Sequence, residues 1–435
     1  MDQSPQLMFE KLIFNIGQRF RNPSIAYWLH FLKASEKWTS EELLAYQLKK
    51  LQELVGIAYE NSAYYKNSFD AAEIKPSDIK SLEDLKKLPI ITKNDLLNYN
   101  KEIHTNLKYR KNFQANTSGT SGESLKFNRE ESADSFNRAS LFRGYSWYNV
   151  YPWELNGYFW GYNFSEKEEI KIRILDSLQN RFRIFNYRKE SIDFFAKKLK
   201  NAKYLHGYSS MIYETAKIIN SQNLEKPANL KMVKGTSEKI FEAYQEEIKK
   251  AFGQKMISEY GAAETGIIAF ECPKGNMHLN MEGVIVEEID HEIVVTNLQM
   301  HAFPIIRYKL GDYIKLAAKT ATCECGMQHF IIEEVTGRIG QTVYGKNNKY
   351  PSLYFYYIFK NLALKQSLLL TYQVIQEEKG KLTFLIEQPL DSRQLISLEN
   401  EIEVYFKNDM EFTIEHSQNL TAQHKKLKSF ISNIE

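Results

Sequence analysis

Hydrophobic positions near the start of the chain recur at helical intervals. Leu7, Met8, Phe9, Leu12, Ile13, Ile16 and Phe20 fall at the spacing that gathers side chains on one face of an α-helix. The pattern predicts an amphipathic helix packed on the core, with a helix lying on a membrane surface as the alternative. Residues 43–59 repeat the helical period, and Thr39-Ser40-Glu41-Glu42 before them reads as a helix start. In "KKLPIITKNDLL", Pro89 breaks the pattern, and Thr92 or Asn94 can cap the next helix. Residues 1–110 are therefore expected to be mainly helical.

Farther along, helix-like segments alternate with short β-like runs. Residues 201–205 and 231–233 read as strands and 239–252 as a helix. "KMISEYGAAETG" reads as a strand, a tight turn, and then helix or loop. Between 284 and 336 the runs "VIVEEI", "EIVVTNL", "YIKLA" and "FIIEEV" make the chain β-rich. This order predicts an α/β fold with a large N-terminal domain over 1–337. A boundary near Gly337-Arg338 leaves 338–435, with strand-like runs at 382–386 and 412–415, as a small C-terminal α+β domain.

Composition narrows the class. A chain of 435 residues, 43% apolar and 26% charged, is that of an ordinary globular protein of two or three domains. A net charge of +3 is too small to argue for nucleic acid or an acidic membrane surface. The N-terminus lacks the features of a signal peptide. The longest apolar run, 353–359, is far short of the about 20 residues a membrane span needs. A cytoplasmic protein, monomeric or oligomeric, is expected.

The candidate chemistry begins with "ANTSGTSGESLKF", residues 115–127. Thr117, Ser118, Thr120 and Ser121 offer hydroxyls, and Gly119 and Gly122 let the backbone approach a ligand closely. Such a stretch is either a linker or a phosphate-wrapping loop. It is not a Walker loop, which needs Gly-Lys-Ser/Thr at its end. "SEYGAAETG" (258–266), "TNLQMHAFPIIRYKLGD" (296–312), "TGRIG" (336–340) and a lysine in "HKKLKSF" follow in that order. The ordered set resembles the adenylate-forming superfamily. Within it, "TSGTSGESLKF", "YLHGYSSMIYETA", "EYGAAETGIIAFEC" and "PIIRYKLGD" resemble the phenylacetate–CoA ligase and capsule-locus (CapK-like) branch over roughly residues 80–430.

The resemblance implies an enzyme that activates a small carboxylic acid with ATP as an acyl-AMP, then passes the acyl group to coenzyme A. An amide ligase delivering it to an amine, such as an amino sugar in capsule assembly, is the first alternative. A non-catalytic ATP-binding relative is the second. By resemblance, the loop from Thr117 to Gly122 holds the β- and γ-phosphates, and Glu264 helps hold Mg²⁺ near the α-phosphate. Tyr260, beside Gly261, packs by the adenine. Asp312 accepts both ribose hydroxyls, a task suited to a carboxylate's two oxygens. Arg307 is a candidate partner for a phosphate or for Asp312, with an ordinary surface arginine as the alternative. Arg338 lies at the hinge of a mobile small domain. Lys425, with Lys426 as the alternative, contacts the adenylation transition state. The acyl pocket includes His206, Gly207 and Tyr208, and the turn at Ala262 and Ala263.

Three departures from the family stand out. Glu123-Ser124 occupies the place where Lys-Pro is common, leaving Lys126 as the nearest substitute for the loop lysine. Gly340-Gln341 replaces an acidic hinge residue. Lys309-Leu310 stands where Arg-Thr is common.

Cys272, Cys323 and Cys325 are the chain's three cysteines. Cys-x-Cys is too close for an easy disulfide. With His278 they make a Cys₃His set suited to a closed tetrahedral Zn²⁺ site. The alternative is three ordinary small hydrophobes.

Overall fold

Capping explains the helical start. In the structure, a computed structural model that describes residues 5–117, 125–159, 166–184, 189–338, 342–418, 420 and 428–434, Thr39 opens the helix Ser40–Asn61. Its hydroxyl accepts from Glu42 N at 3.2 Å, and the Glu42 carboxylate accepts from Thr39 N at 2.8 Å, so two otherwise orphaned donors are satisfied reciprocally. Thr92 and Asp95 repeat the device for the helix Lys93–Asn98.

The chain divides into two compact units, one of Met1–Glu154 with Ser258–Val335, the other of Leu155–Ile257 with Thr336–Glu435. In the first, an antiparallel array runs in the order Val284–Ile289, Glu292–Asn297, Ile305–Leu316, Ile331–Arg338, Met277–Leu279, Gly266–Glu271 and Met256–Ala262. Its core joins Leu51, Leu54, Tyr65 and Phe69 from the helices to Phe303, Ile306 and Tyr308 from the strands. After "YGAAET" the chain forms a strand, Gly266–Glu271, rather than the expected helix or loop. Gly266 has φ +73° and lies against Asn137, whose Oδ1 accepts from Ile267 N at 2.8 Å. That pins the start of the returning strand, and Ile267, Ile268 and Phe270 suit it.

The first helix, Pro5–Arg21, corrects another expectation. Its apolar stripe does not pack on the core: Met8, Phe9, Leu12, Ile16 and Phe20 are 49–81% exposed. The helix docks instead through Phe14, whose ring lies 5.8 Å from Phe142 and 6.0 Å from Trp153. Among the described residues, no helix is long and apolar enough to cross a membrane.

In the second unit, four parallel strands run in the order Arg181–Arg183, Asn156–Phe159, Tyr204–Tyr208 and Met232–Thr236. Two of them begin later than the sequence pattern indicates, because pairing of Tyr204 with both Asn156 and Met232 fixes the ladder's start. The helices Ser209–Ser221 and Ala243–Phe252 cover the apolar residues of these strands. A four-stranded sheet, Glu411–His416, Lys381–Ile386, Tyr372–Gln376 and Phe430–Ser432, joins the same unit with the helices Leu353–Gln366 and Ser392–Phe406. One apolar core runs through both parts, from Phe159, Leu205 and Val233 to Phe355, Phe384 and Phe406.

Candidate active site

The hydroxyl- and glycine-rich stretch is the connection of a hairpin. Asn112–Asn116 pairs antiparallel with Lys126–Glu130. The ladder closes at Thr117, whose N–H donates to Leu125 O and whose hydroxyl accepts from Leu125 N, both at 3.0 Å. A free linker has no such paired ends. Ser118, Gly119, Thr120, Ser121, Gly122 and Glu123 lie outside the described residues.

Beside Thr117 stands a residue that sequence reasoning missed. Lys93 Nζ donates to Thr117 Oγ1 at 3.2 Å and to Glu264 Oε1 at 2.9 Å. Lysine at the first position of the helix Lys93–Asn98 opposes the helix dipole. That anomaly in "TKNDLL" was the available signal, and the Glu264 carboxylate offsets it. Glu264 is 5% exposed and sits in the turn between Met256–Ala262 and Gly266–Glu271. Three successive carbonyls hold this turn. Arg129 donates to Ala263 O, while Asn297 Nδ2 donates to Glu264 O at 3.5 Å and to Thr265 O at 3.1 Å. Tyr308 O–H reaches Glu264 Oε1 at 3.4 Å. The turn is thus fixed by side chains from three other elements, and its one acid faces the hairpin's mouth. Lys126, by contrast, is exposed on its strand.

Tyr260 and Asp312 meet directly: the phenol donates to Asp312 Oδ2 at 2.8 Å. A bulge aims the carboxylate. Glu292 pairs with Tyr313 and Val294 with Lys309, so Ile305–Leu316 carries extra residues around Gly311, at φ +83°. Such bulges redirect side chains. Gly261 follows a second register shift, opposite Ile267.

Arg307 is engaged elsewhere. Its Nε and Nη2 donate to the Glu287 carboxylate at 2.9 Å each, and Nη1 donates to the carbonyls of Lys86 and Leu88 at 2.9 and 2.6 Å. Ile91 N donates to Arg307 O at 3.0 Å, and Lys309 N returns a bond to Ile91 O at 2.9 Å. Arg307 therefore clamps the segment 86–91 to the strand, and that segment delivers Lys93 to Glu264.

No family model matches the chain. It is 23% identical to Protein CapK of Staphylococcus aureus over 332 residues, 71% of each chain. Over a shorter stretch of 65 residues, 15% of each chain, it is 46% identical to the phenylacetate-coenzyme A ligase of Aromatoleum evansii. The structure superposes on 2-hydroxyisobutyryl-CoA ligase, solved in its postadenylation state with 2-HIB-AMP, at a TM-score of 0.71. That likeness covers 91% of each chain at 14% identity. The chain has the adenylate-forming ligase fold.

Within that fold, the remaining residues of the expected site divide between the two units. Gly261, Ala262 and Ala263 belong to the first; His206, Gly207 and Tyr208 belong to the second. His206 lies beside the tilted rings of Tyr158 and Tyr204, with its Nε2 3.2 Å from Asn156 Oδ1. Burial, helped by Lys234, Arg181 and Arg183, pushes its imidazole well below the ordinary range. Gly207 has φ +138°, and a Cβ there would stand 2.2 Å from Phe159 O, so the sheet admits only glycine. Tyr208 occupies the N-cap position of the helix Ser209–Ser221 without a side-chain capping bond. Arg338 ends the strand Ile331–Arg338. Lys425 and Lys426 fall outside the described residues.

The fold also brings the cysteines together. The candidate ligand atoms of Cys272, His278, Cys323 and Cys325 all lie within 4.8 Å of one another. Cys272 Sγ is 3.7 Å from Cys323 Sγ, and Cys325 Sγ is 3.2 Å from His278 Nε2. Two glycine turns present the thiols: Gly275 N donates to Cys272 O at 2.8 Å and Gly326 N to Cys323 O at 3.0 Å, both glycines at positive φ. His278 Nδ1 lies 3.2 Å from His329 O, so Nδ1 donates to that carbonyl and Nε2 keeps its lone pair on the side of the sulfurs. Burial pushes the His278 imidazole down to about 4 and raises the Cys272 thiol. At Cys323 burial also acts to raise the thiol, but bonds from Cys325 N and Asn276 outweigh it and lower it.

Proposed function

We propose that the chain is an AMP-forming ligase that activates a small carboxylic acid with ATP and passes the acyl group to coenzyme A. The observation that carries this reading is the trio of Thr117, Lys93 and Glu264. It sets a hydroxyl, a fixed cation and a buried carboxylate at the mouth of the hydroxyl-rich hairpin. Attack of a carboxylate on the α-phosphate gathers negative charge on phosphoryl oxygens, and preorganised charge lowers that barrier. Lys93 supplies the cation that the family places after the loop and that Glu123 does not provide. The likeness to the phenylacetate-coenzyme A ligase supports the same reaction class.

The other residues take their roles within this reading. The loop from Thr117 to Gly122 wraps the β- and γ-phosphates. Glu264, a buried oxygen donor, is of the kind Mg²⁺ takes, and the ion would neutralise phosphoryl charge there. Tyr260 packs by the adenine, and Asp312 receives the ribose hydroxyls. His206, Gly207, Tyr208, Ala262 and Ala263 shape the acyl pocket. Arg338 serves as hinge between a large domain, 1–337, and a small one, 338–435, that carries Lys425. Arg307 acts by positioning the segment before Lys93. Cys272, His278, Cys323 and Cys325 have the donor set and spacing for structural Zn²⁺. The protein works in the cytoplasm.

A panel of carboxylic acids incubated with ATP, with and without coenzyme A, tests the reading by mass spectrometry. Acyl-AMP in the first arm and acyl-CoA in the second are expected. Acyl-AMP without acyl-CoA, but with an amide when amines are added, moves the acceptor to an amine. Neither product from any acid defeats the proposal. Asp312→Asn should raise the KM for ATP about ten- to a hundredfold, the worth of a charged hydrogen bond, with a smaller effect on kcat. An unchanged KM in steady-state kinetics removes Asp312 from the ribose site.

A further inference from the structure

The exposed stripe of the first helix carries an inference independent of the ligase reading. The contacts that dock Pro5–Arg21 run through Phe14, Lys11 and Gln18. Phe14 inserts against Phe142 and Trp153, Lys11 Nζ lies 5.3 Å over the Trp153 ring, and Arg138 Nε donates to Gln18 at 3.3 Å. On the opposite arc, Met8, Leu12, Ile16 and Phe20 follow one another every fourth residue, with Phe9 beside them, all exposed. Such a continuous apolar face is rare on a surface without a partner.

Charge indicates which partner. The last turn of the helix carries Arg19 and Arg21. Lys111 Nζ donates to Phe20 O at 2.7 Å, and Arg21 lies 4.4 Å over the Phe113 ring. Arg110 immediately precedes Lys111 and Lys108 lies three residues before it, both exposed. Phe20, 81% exposed, therefore stands in a corner rimmed by cations. Among the described residues, Asp134 is the carboxylate that pairs with this rim, at 3.8 Å from Arg21. The whole-chain charge of +3 conceals this local excess. A second copy docking on this corner would bring like charges together, whereas anionic headgroups with an acyl layer beneath them match both the rim and the stripe. A second exposed stripe, Ile170, Ile174 and Leu178, offers a contrast. Its helix, Glu166–Leu178, mixes Glu166, Glu168, Glu169 and Asp176 with Lys167, Lys171 and Arg173, so it lacks the basic excess that anionic lipid selects.

We propose that the exposed face of Pro5–Arg21, with the basic residues at its end, docks the protein reversibly on a bilayer bearing anionic lipid. The test is sedimentation of the full chain with vesicles of phosphatidylcholine alone or of equimolar phosphatidylcholine and phosphatidylglycerol. Binding to the anionic vesicles is expected, weakening as salt rises. The double variant Ile16→Glu, Phe20→Glu should abolish it. Lys108→Gln, Arg110→Gln and Lys111→Gln together should weaken it by on the order of a hundredfold, about fivefold for each basic residue. Ile174→Glu should leave it unchanged. All these changes are at exposed or rim positions, and melting temperature checks that each variant is folded. Three results overturn the proposal: no binding of the wild type to anionic vesicles, equal binding by the Glu variants, or a stripe-dependent dimer in sedimentation velocity without lipid binding.

Discussion

Glu264→Gln is expected to lower acid-dependent ATP–pyrophosphate exchange by about 10²- to 10³-fold, the scale of removing one preorganised group from a charged transition state. The amide matches the carboxylate in size, so the packing of the 263–265 turn against Arg129 and Asn297 survives. What disappears is the negative charge that orients Lys93 and offers an oxygen donor to the phosphate-bound metal. Lys93 is 27% exposed, so water can reach it once its partner is gone, and the melting temperature should stay within a few degrees of wild type. Loss of exchange with retained stability separates chemistry from folding. Lys93→Met should also depress exchange, by a smaller factor, because the loop's hydroxyls and amides remain. Wild-type exchange in Glu264→Gln would remove this carboxylate from the reaction and with it the main support for the proposed site.

Local signals in the sequence carried the local structure. Thr39 and Thr92 were readable as caps because a capping box lies within four residues, and the β-rich character of 284–336 was readable from its alternating runs. The strand and tight turn of "KMISEYGAAETG" were readable for the same reason. What the sequence withheld was long-range partnership. Lys93 and Glu264 are 171 residues apart, and the bridge between Ile91 and Tyr308, together with Arg307's hold on the carbonyls at 86 and 88, brings them together. In the sequence Arg307 is a candidate partner for a phosphate or for Asp312, with an ordinary surface arginine as the alternative; its positive φ of 49° and the carbonyls at 86 and 88 turn it toward Glu287. For the first helix, periodicity marked the apolar stripe correctly but could not say which face would be covered. The residue that docks is Phe14, which lies outside the stripe. The grouping of 336–435 with 155–257 rests on a core shared by segments far apart in sequence, which no local pattern records.

The cysteine cluster should prove to be a metal site whose loss is costly: Cys272→Ser or Cys325→Ser should abolish bound zinc and destabilise the protein by about 4 kcal/mol or more, a size that loss of a metal can produce. A tetrahedral ion with Zn–S bonds of about 2.3 Å places its sulfurs about 3.8 Å apart, and Cys272 and Cys323 stand at 3.7 Å. A disulfide would need a sulfur separation of about 2.05 Å. Ordinary buried thiols would have no reason to converge from two glycine turns 51 residues apart with an imidazole nitrogen among them. The site links Cys272, at the end of the strand that begins just after Glu264, to the 323–326 turn between Ile305–Leu316 and Ile331–Arg338. Its other contacts tie it to the core. His329, whose carbonyl accepts from His278, also reaches Glu282 Oε1 at 3.0 Å, and Arg143 reaches the same oxygen at 2.6 Å. Burial acts against the charge on Glu282, and Arg143 with His329 overcomes it and holds that carboxyl low. Without the metal, the turns at 275 and 326 lose their common anchor, and this buried ion pair loses a fixed wall. Elemental analysis should find one zinc per chain. A strong chelator should remove it and lower the melting temperature, and added zinc should restore both. Wild-type protein without metal, melting at the same temperature in chelator, would return the cysteines to simple core residues.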